Sequence, residues 1–155
     1  MTLAKVLRMP KLNTRGRLLF VAYPLLPVSD QSAGGAEQVL TTLERAASKK
    51  GWKTTVAACN GSTPAGQLYA TMPPGGGRLS SARHLESQHC RRVTELISVR
   101  SAIGTPFDLV HDHSGSFFAH ASRSDVPVLA TMHLPRSFYP AQWFHRLPQN
   151  VYLNC

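Results

Sequence analysis

Five short apolar runs, separated by polar stretches, set the frame of this chain. Residues 17–23, Arg-Leu-Leu-Phe-Val-Ala-Tyr, form a run that Pro24 ends, which reads as a buried strand. Residues 53–59 (Lys-Thr-Thr-Val-Ala-Ala-Cys), 107–111, 126–131 and 151–155 have the same character. Between the first two runs the period changes. Ala36, Val39, Leu40, Leu43, Ala46 and Ala47 recur at i, i+3, i+4 and i+7, the spacing of one helical face. Gly34-Gly35 opens that helix, Lys49 and Lys50 suit the negative end of its dipole, and Gly51 is placed to cap it.

Residues 79–103 are helical in composition, and Gly104 and Pro106 end them. A short helix is expected up to Ala121 and another over 137–146. Residues 60–78, with Pro-Pro-Gly-Gly-Gly at 73–77, read as one long loop. Strands alternating with helices predict an α/β fold, a Rossmann-like open parallel sheet with helices on both faces.

A length of 155 residues suits one domain. An apolar fraction of 43% and a charged fraction of 16% fit an ordinary globular protein. The net charge of +9 favours anionic partners. Lys5, Arg8, Lys11, Arg15 and Arg17 precede the first strand, and the other basic residues are scattered. No long basic run is interleaved with aromatics, so no nucleic-acid interface is expected, while peripheral contact with a membrane surface stays open. Residues 1–16 carry no acid and read as a flexible basic extension rather than a transit peptide, leaving 17–155 as the folded domain. Cys59, Cys90 and Cys155 are odd in number and widely spaced, which predicts free thiols and fits a reducing cytoplasm. The longest apolar stretch, 18–28, is broken by Pro24 and Pro27 and is too short to span a bilayer. A chain ending on the apolar run 151–155 is expected to be a fragment of a longer one.

Three motifs carry candidate chemistry. In Ala33-Gly-Gly-Ala-Glu37, glycines at a helix start let a ligand approach the free N–H groups of the first turn, an end that attracts phosphate; a plain tight turn is the alternative. Asp108-Leu-Val-His-Asp-His-Ser114 lies where a strand ends, the place open α/β sheets put their ligands; capping of the next helix is the alternative. No third ligand stands at a familiar spacing from His111 and His113, so no metal is expected. No G-x-S-x-G elbow is present, which argues against a hydrolase. Ala130-Thr-Met-His133 again follows a strand, and its histidine reads as either structural or functional.

In their order and spacing, the first strand, Gly-Gly-Ala-Glu, Phe-Asp-Leu-Val-His-Asp-His-Ser and Val-Pro-Val-Leu-Ala-Thr-Met-His resemble the N-terminal domain of family 4, GT-B, retaining glycosyltransferases over residues 17–155. The resemblance implies two Rossmann-like domains with the active site in the cleft between them. It implies transfer of a glycosyl group from a nucleoside-diphosphate sugar, as co-substrate, to a sugar, lipid or small-molecule acceptor, with no metal or other cofactor. It casts Gly34 and Gly35 as the loop facing the donor diphosphate, His113 and His133 as catalytic residues in the cleft, and Tyr23, Asp30 and Asp112 as acceptor-binding. The family's C-terminal Glu-x7-Glu region has no counterpart here, so the chain by itself is expected to be inactive. A non-catalytic Rossmann-like module binding a phosphorylated ligand is the competing reading.

Overall fold

The computed structural model describes residues 16–73 and 81–154. The basic extension falls almost wholly outside them, as do most of the Pro-Pro-Gly-Gly-Gly stretch and Cys155. The element order is β1 (Arg17–Val21), α1 (Gly35–Lys49), β2 (Lys53–Cys59), β3 (Gln67–Met72), α2 (Ala82–Ala102), β4 (Leu109–Asp112), a 3₁₀ turn (Phe117–Arg123), β5 (Val128–Thr131), a second 3₁₀ turn (Arg136–Phe138), α3 (Gln142–His145) and β6 (Val151–Asn154).

The strands form one sheet in the order β3-β2-β1-β4-β5-β6, and every pair is parallel. The chain leaves β1 toward one side to make β2 and β3. It then returns across the sheet to lay β4, β5 and β6 on the other side. The direction of progression therefore reverses between β1 and β4, and a crevice opens at the C-terminal ends of those two strands.

Alternation along β1 explains the two layers. Leu18, Phe20 and Ala22 point to one face and pack with Leu40 of α1 and with Val56 and Ala58 of β2. Leu19 and Val21 point to the other, where Val93 and Ile97 of α2 and Phe117 and Phe118 of the first 3₁₀ turn cover them. Both faces are buried, as a parallel sheet requires.

Three expectations are corrected. The loop expected over 60–78 contains the edge strand β3. Its residues Gln67-Leu-Tyr-Ala-Thr-Met72 show no clean alternation, because one neighbour and half-exposure suffice at an edge and a register shift at Ala58/Cys59 bends the pairing. The second correction concerns α1. Its buried face is Glu37, Leu40, Thr41 and Glu44, while Val39 and Leu43 are exposed. Glu44 turns the helix this way: its buried carboxylate accepts the Thr54 hydroxyl and the N–H groups of Ala65 (3.0 Å) and Gly66 (2.9 Å), tying α1 to the start of β3. The helix expected over 137–146 shrinks to the second 3₁₀ turn and the single turn α3, with Pro140 between them.

Candidate functional site

The sequence motifs meet at the C-terminal edge of the sheet. Tyr23 follows β1, His113 follows β4 and His133 follows β5; the His113 N–H donates to the Val21 carbonyl at 2.8 Å, which seats the histidine beside the end of β1. A groove of about 1290 Å³ opens there, and Tyr23, Gly35, Glu37, His113, His133 and Tyr139 all line it.

The two glycines differ in what they do. Neither has a positive φ; Gly34 is the extended residue before α1 and Gly35 its first residue. A tight turn demanding glycine is therefore not what this pair makes. A Cβ at Gly34 would collide with Oε2 of Glu37, whereas one at Gly35 would meet nothing within 4 Å. The helical ladder starts with Gln38 N–H donating to the Gly34 carbonyl at 3.1 Å, so the N–H groups of Gly35, Ala36 and Glu37 precede it. The N-terminus of the helix thus lies on the groove wall, with open space beside Gly35 and the Glu37 carboxylate over Gly34.

Three imidazoles stack beside it. His111 and His113 lie 4.2 Å apart, His113 and His133 5.1 Å, measured between ring centres, with Phe20 packed against the first two. Thr131 fixes His111 through a 2.9 Å bond to Nε2, and His113 Nδ1 lies 2.9 Å from His133 Nε2. Burial pushes His111 down to about 4, with His133 adding to the effect, and His113 down to about 3, with both neighbours adding to it. Burial lowers His133 as well, against the opposing pull of Glu37. All three are neutral at pH 7. One of the bonded pair donates and the other accepts, so their tautomers are coupled, and a ligand at His133 is felt at His113.

Asp112 has a different task from the acceptor contact expected of it. It is 1% exposed, and its carboxylate accepts Ser114 N–H (2.8 Å), the Ser114 hydroxyl (2.6 Å) and Phe118 N–H (2.8 Å). Its acceptors face the corner after β4 rather than the groove. That corner carries Gly115 at φ +77°, against the Tyr139 ring. Burial raises the Asp112 carboxyl to about 6, against the hydrogen bonds from Ser114 and Phe118. Asp30 is exposed, pairs with Arg45 and does not line the groove. Tyr23 does line it, half-buried, with its hydroxyl raised by burial and then by Glu86 and Glu37.

Glu37, His111 and, from α2, Arg83 and Glu86 belong to this region although none was expected there. Glu37 and His111 lie inside the quoted motifs; nothing in the weak periodicity of α2 points to the other two. Among the described residues no three His, Cys, Asp or Glu converge as metal ligands, and no helix is long and apolar enough to cross a membrane.

The buried histidines make stability depend on pH. His89 is lowered to about 4 by burial, as is His111, and His113 falls to about 3. Below pH ~6.5 the unfolded chain binds protons that the folded one refuses, so stability is lost as pH falls. His89 and His113 each contribute about 2 kcal/mol between pH 7 and 5, and the more exposed His111 contributes less because solvent screens its charge. Asp112, raised to about 6, opposes this by roughly 1 kcal/mol over the same range. The thermal midpoint is expected to drop clearly from pH 7 to pH 5; a flat profile would mean that these imidazoles are not held neutral.

Comparison with known proteins adds the following. The family model described as Glycosyltransferase Family 4 matches residues 33–154. Among solved structures the chain is similar to the glycosyltransferase SsfS6 from Streptomyces sp. SF2575, at 17% identity and a TM-score of 0.47, over 76% of this chain and 39% of that one. The chain thus spans well under half the length of that protein. No curated protein matches.

Proposed function

From the premise that this chain belongs to glycosyltransferase family 4, we propose that it is the acceptor-side domain of an enzyme that moves a glycosyl group from a nucleoside-diphosphate sugar to an acceptor with retained configuration. The observation that carries the proposal is the open helix end at Gly35, facing the same groove as His113 and His133. Charge grows on the departing diphosphate in such a transfer. Backbone N–H groups at a helix N-terminus stabilise that charge without rearranging, which is why no metal is part of this reading.

The neutral His133 orients a hydroxyl of the sugar or acceptor, and its bond to His113 holds the ring in place. Tyr23 lies on the acceptor side. A second α/β domain closes over the groove and holds most of the nucleotide. The reading places the enzyme in the cytoplasm, with a sugar, lipid or small molecule as acceptor.

The test is a transfer assay of the enzyme with nucleoside-diphosphate sugars, with the anomeric configuration of the product followed by NMR. Retention is expected, with kcat about a hundredfold lower for His133→Ala. Inversion, or a normal rate without His133, would contradict the proposal. Binding of the nucleotide sugar with no transfer to any acceptor would favour a non-catalytic module that takes a phosphorylated ligand.

A further inference from the structure

His113 is 3% exposed, and its two ring nitrogens are in different situations. Nδ1 lies 2.9 Å from Nε2 of His133. Nε2 is buried and has no hydrogen-bond partner among the described residues. The rings of Phe20 and His111 pack on His113, with centres 6.3 and 4.2 Å away. Burial, then His111 and His133, keep His113 neutral at pH 7, and burial does the same for His133. Each ring therefore carries one proton.

Two arrangements satisfy the bond between the rings. In one, His133 Nε2–H donates to His113 Nδ1, and the His113 proton sits on Nε2, a buried N–H with nothing to receive it. In the other, His113 Nδ1–H donates to His133 Nε2, and the buried Nε2 of His113 is a bare lone pair. A buried donor without an acceptor is the rarer and costlier defect, which favours the second arrangement. That choice fixes the other ring too. With its Nε2 accepting, His133 carries its proton on Nδ1. Among the described residues this nitrogen is neither hydrogen-bonded nor sealed from solvent, and His133 lines the groove, so Nδ1 is the nitrogen that a ligand reaches. The field of the Glu37 carboxylate reaches His133 and favours a proton there over a lone pair.

We propose that His113 locks His133 as a hydrogen-bond donor, so that His133 meets an oxygen lone pair of the ligand through Nδ1–H and cannot take a proton from it. A phosphate oxygen and a hydroxyl oxygen both fit, and an ammonium does not. His113 acts here as a positioning residue. The tautomer rests on the two imidazoles alone; that the oxygen belongs to a reactant of glycosyl transfer rests on the reading above.

The experiment is a long-range proton–nitrogen correlation spectrum of the histidine side chains in the full chain at pH 7. Both Nδ1 atoms of His113 and His133 are expected to read as protonated and both Nε2 atoms as bare. In His113→Asn, whose side-chain amide keeps a donor close to the place of Nδ1, His133 is expected to stay as it is. In His113→Phe, which fills the same space without a donor, the His133 proton is expected to shift toward Nε2, the form that free imidazole side chains favour. The thermal midpoint can fall in both variants through packing alone, whereas the nitrogen shifts of His133 follow the hydrogen bond. A bare or averaged Nδ1 on His133 in the native chain, or an unchanged His133 in His113→Phe, would overturn the lock. Titration with UDP and with glucose separates the two sources of oxygen: the one that fits moves the His133 Nδ1 proton downfield, and no movement with either removes the ligand contact. The anomeric configuration of the product, which tests the glycosyl-transfer reading, does not depend on where these protons sit.

Discussion

Asp112→Ala is expected to destabilise the domain by about 3–5 kcal/mol, a large effect for a single side chain at the corner behind the groove. The carboxylate is the common acceptor for three donors at a buried corner, two of them backbone N–H groups that no rotamer change can redirect. Removing it leaves the Ser114 and Phe118 N–H groups without their partner, at roughly 1–3 kcal/mol for each unsatisfied buried donor. The corner also fixes Gly115 in its left-handed conformation and carries His113 on its N-terminal side. Transfer activity is therefore expected to fall with stability. Asp112→Asn keeps one carbonyl acceptor and should lie between the two. Denaturant unfolding of the three proteins checks this, and a loss below about 1 kcal/mol for alanine would show that the corner is held by something other than this carboxylate.

In the complete two-domain enzyme, Gly35→Val is expected to do the reverse, lowering kcat about a hundredfold while moving stability by no more than roughly 1 kcal/mol. The backbone at Gly35 is helical and needs no glycine, and a Cβ there meets no protein atom within 4 Å. The new side chain therefore enters only the groove. It fills the space beside the first-turn N–H groups, where the proposed function seats a diphosphate oxygen. The neighbouring glycines behave differently: a side chain at Gly34 collides with Glu37, and one at Gly115 is strained by φ +77°. Gly35 alone of the three separates ligand space from folding. Thermal midpoint and kcat measured on one preparation give the answer. A normal kcat per folded molecule would remove the diphosphate from this helix end.

The parallel sheet was legible because its central strands are short, apolar and bounded by Pro and Gly; β2 matches its expected run, β1 and β5 lie within theirs with one end trimmed by two residues, and β4 starts two residues later and ends one beyond. The edge strand β3 was not, since an edge needs neither continuous apolarity nor strict alternation. The rotation of α1 was hidden for another reason. A periodicity count scores Glu44 as a solvent residue and cannot see that it receives three donors from β2 and from the approach to β3. At the groove, the places of Gly35, His113 and His133 after strand ends predicted a shared sheet edge, and all three line one groove there. For Asp112, sequence position says that it lies at the edge, not that its carboxylate is taken up by Ser114 and Phe118. Glu37 was passed over inside its own motif because an acid in the first helical turn is ordinary; only the fold shows that it lies over Gly34 on the groove wall.

Titration of the chain with UDP, followed at the backbone amides by NMR, tests the diphosphate assignment most directly. If the helix end receives the donor diphosphate, the largest shifts fall on Gly35, Ala36 and Glu37 with a smaller response at His133, and Gly35→Val abolishes them while leaving the rest of the spectrum in place. Shifts confined to the small basic pocket at the opposite edge of the sheet, around Arg17, Lys53 and Arg100, or an equal response in Gly35→Val, would contradict it.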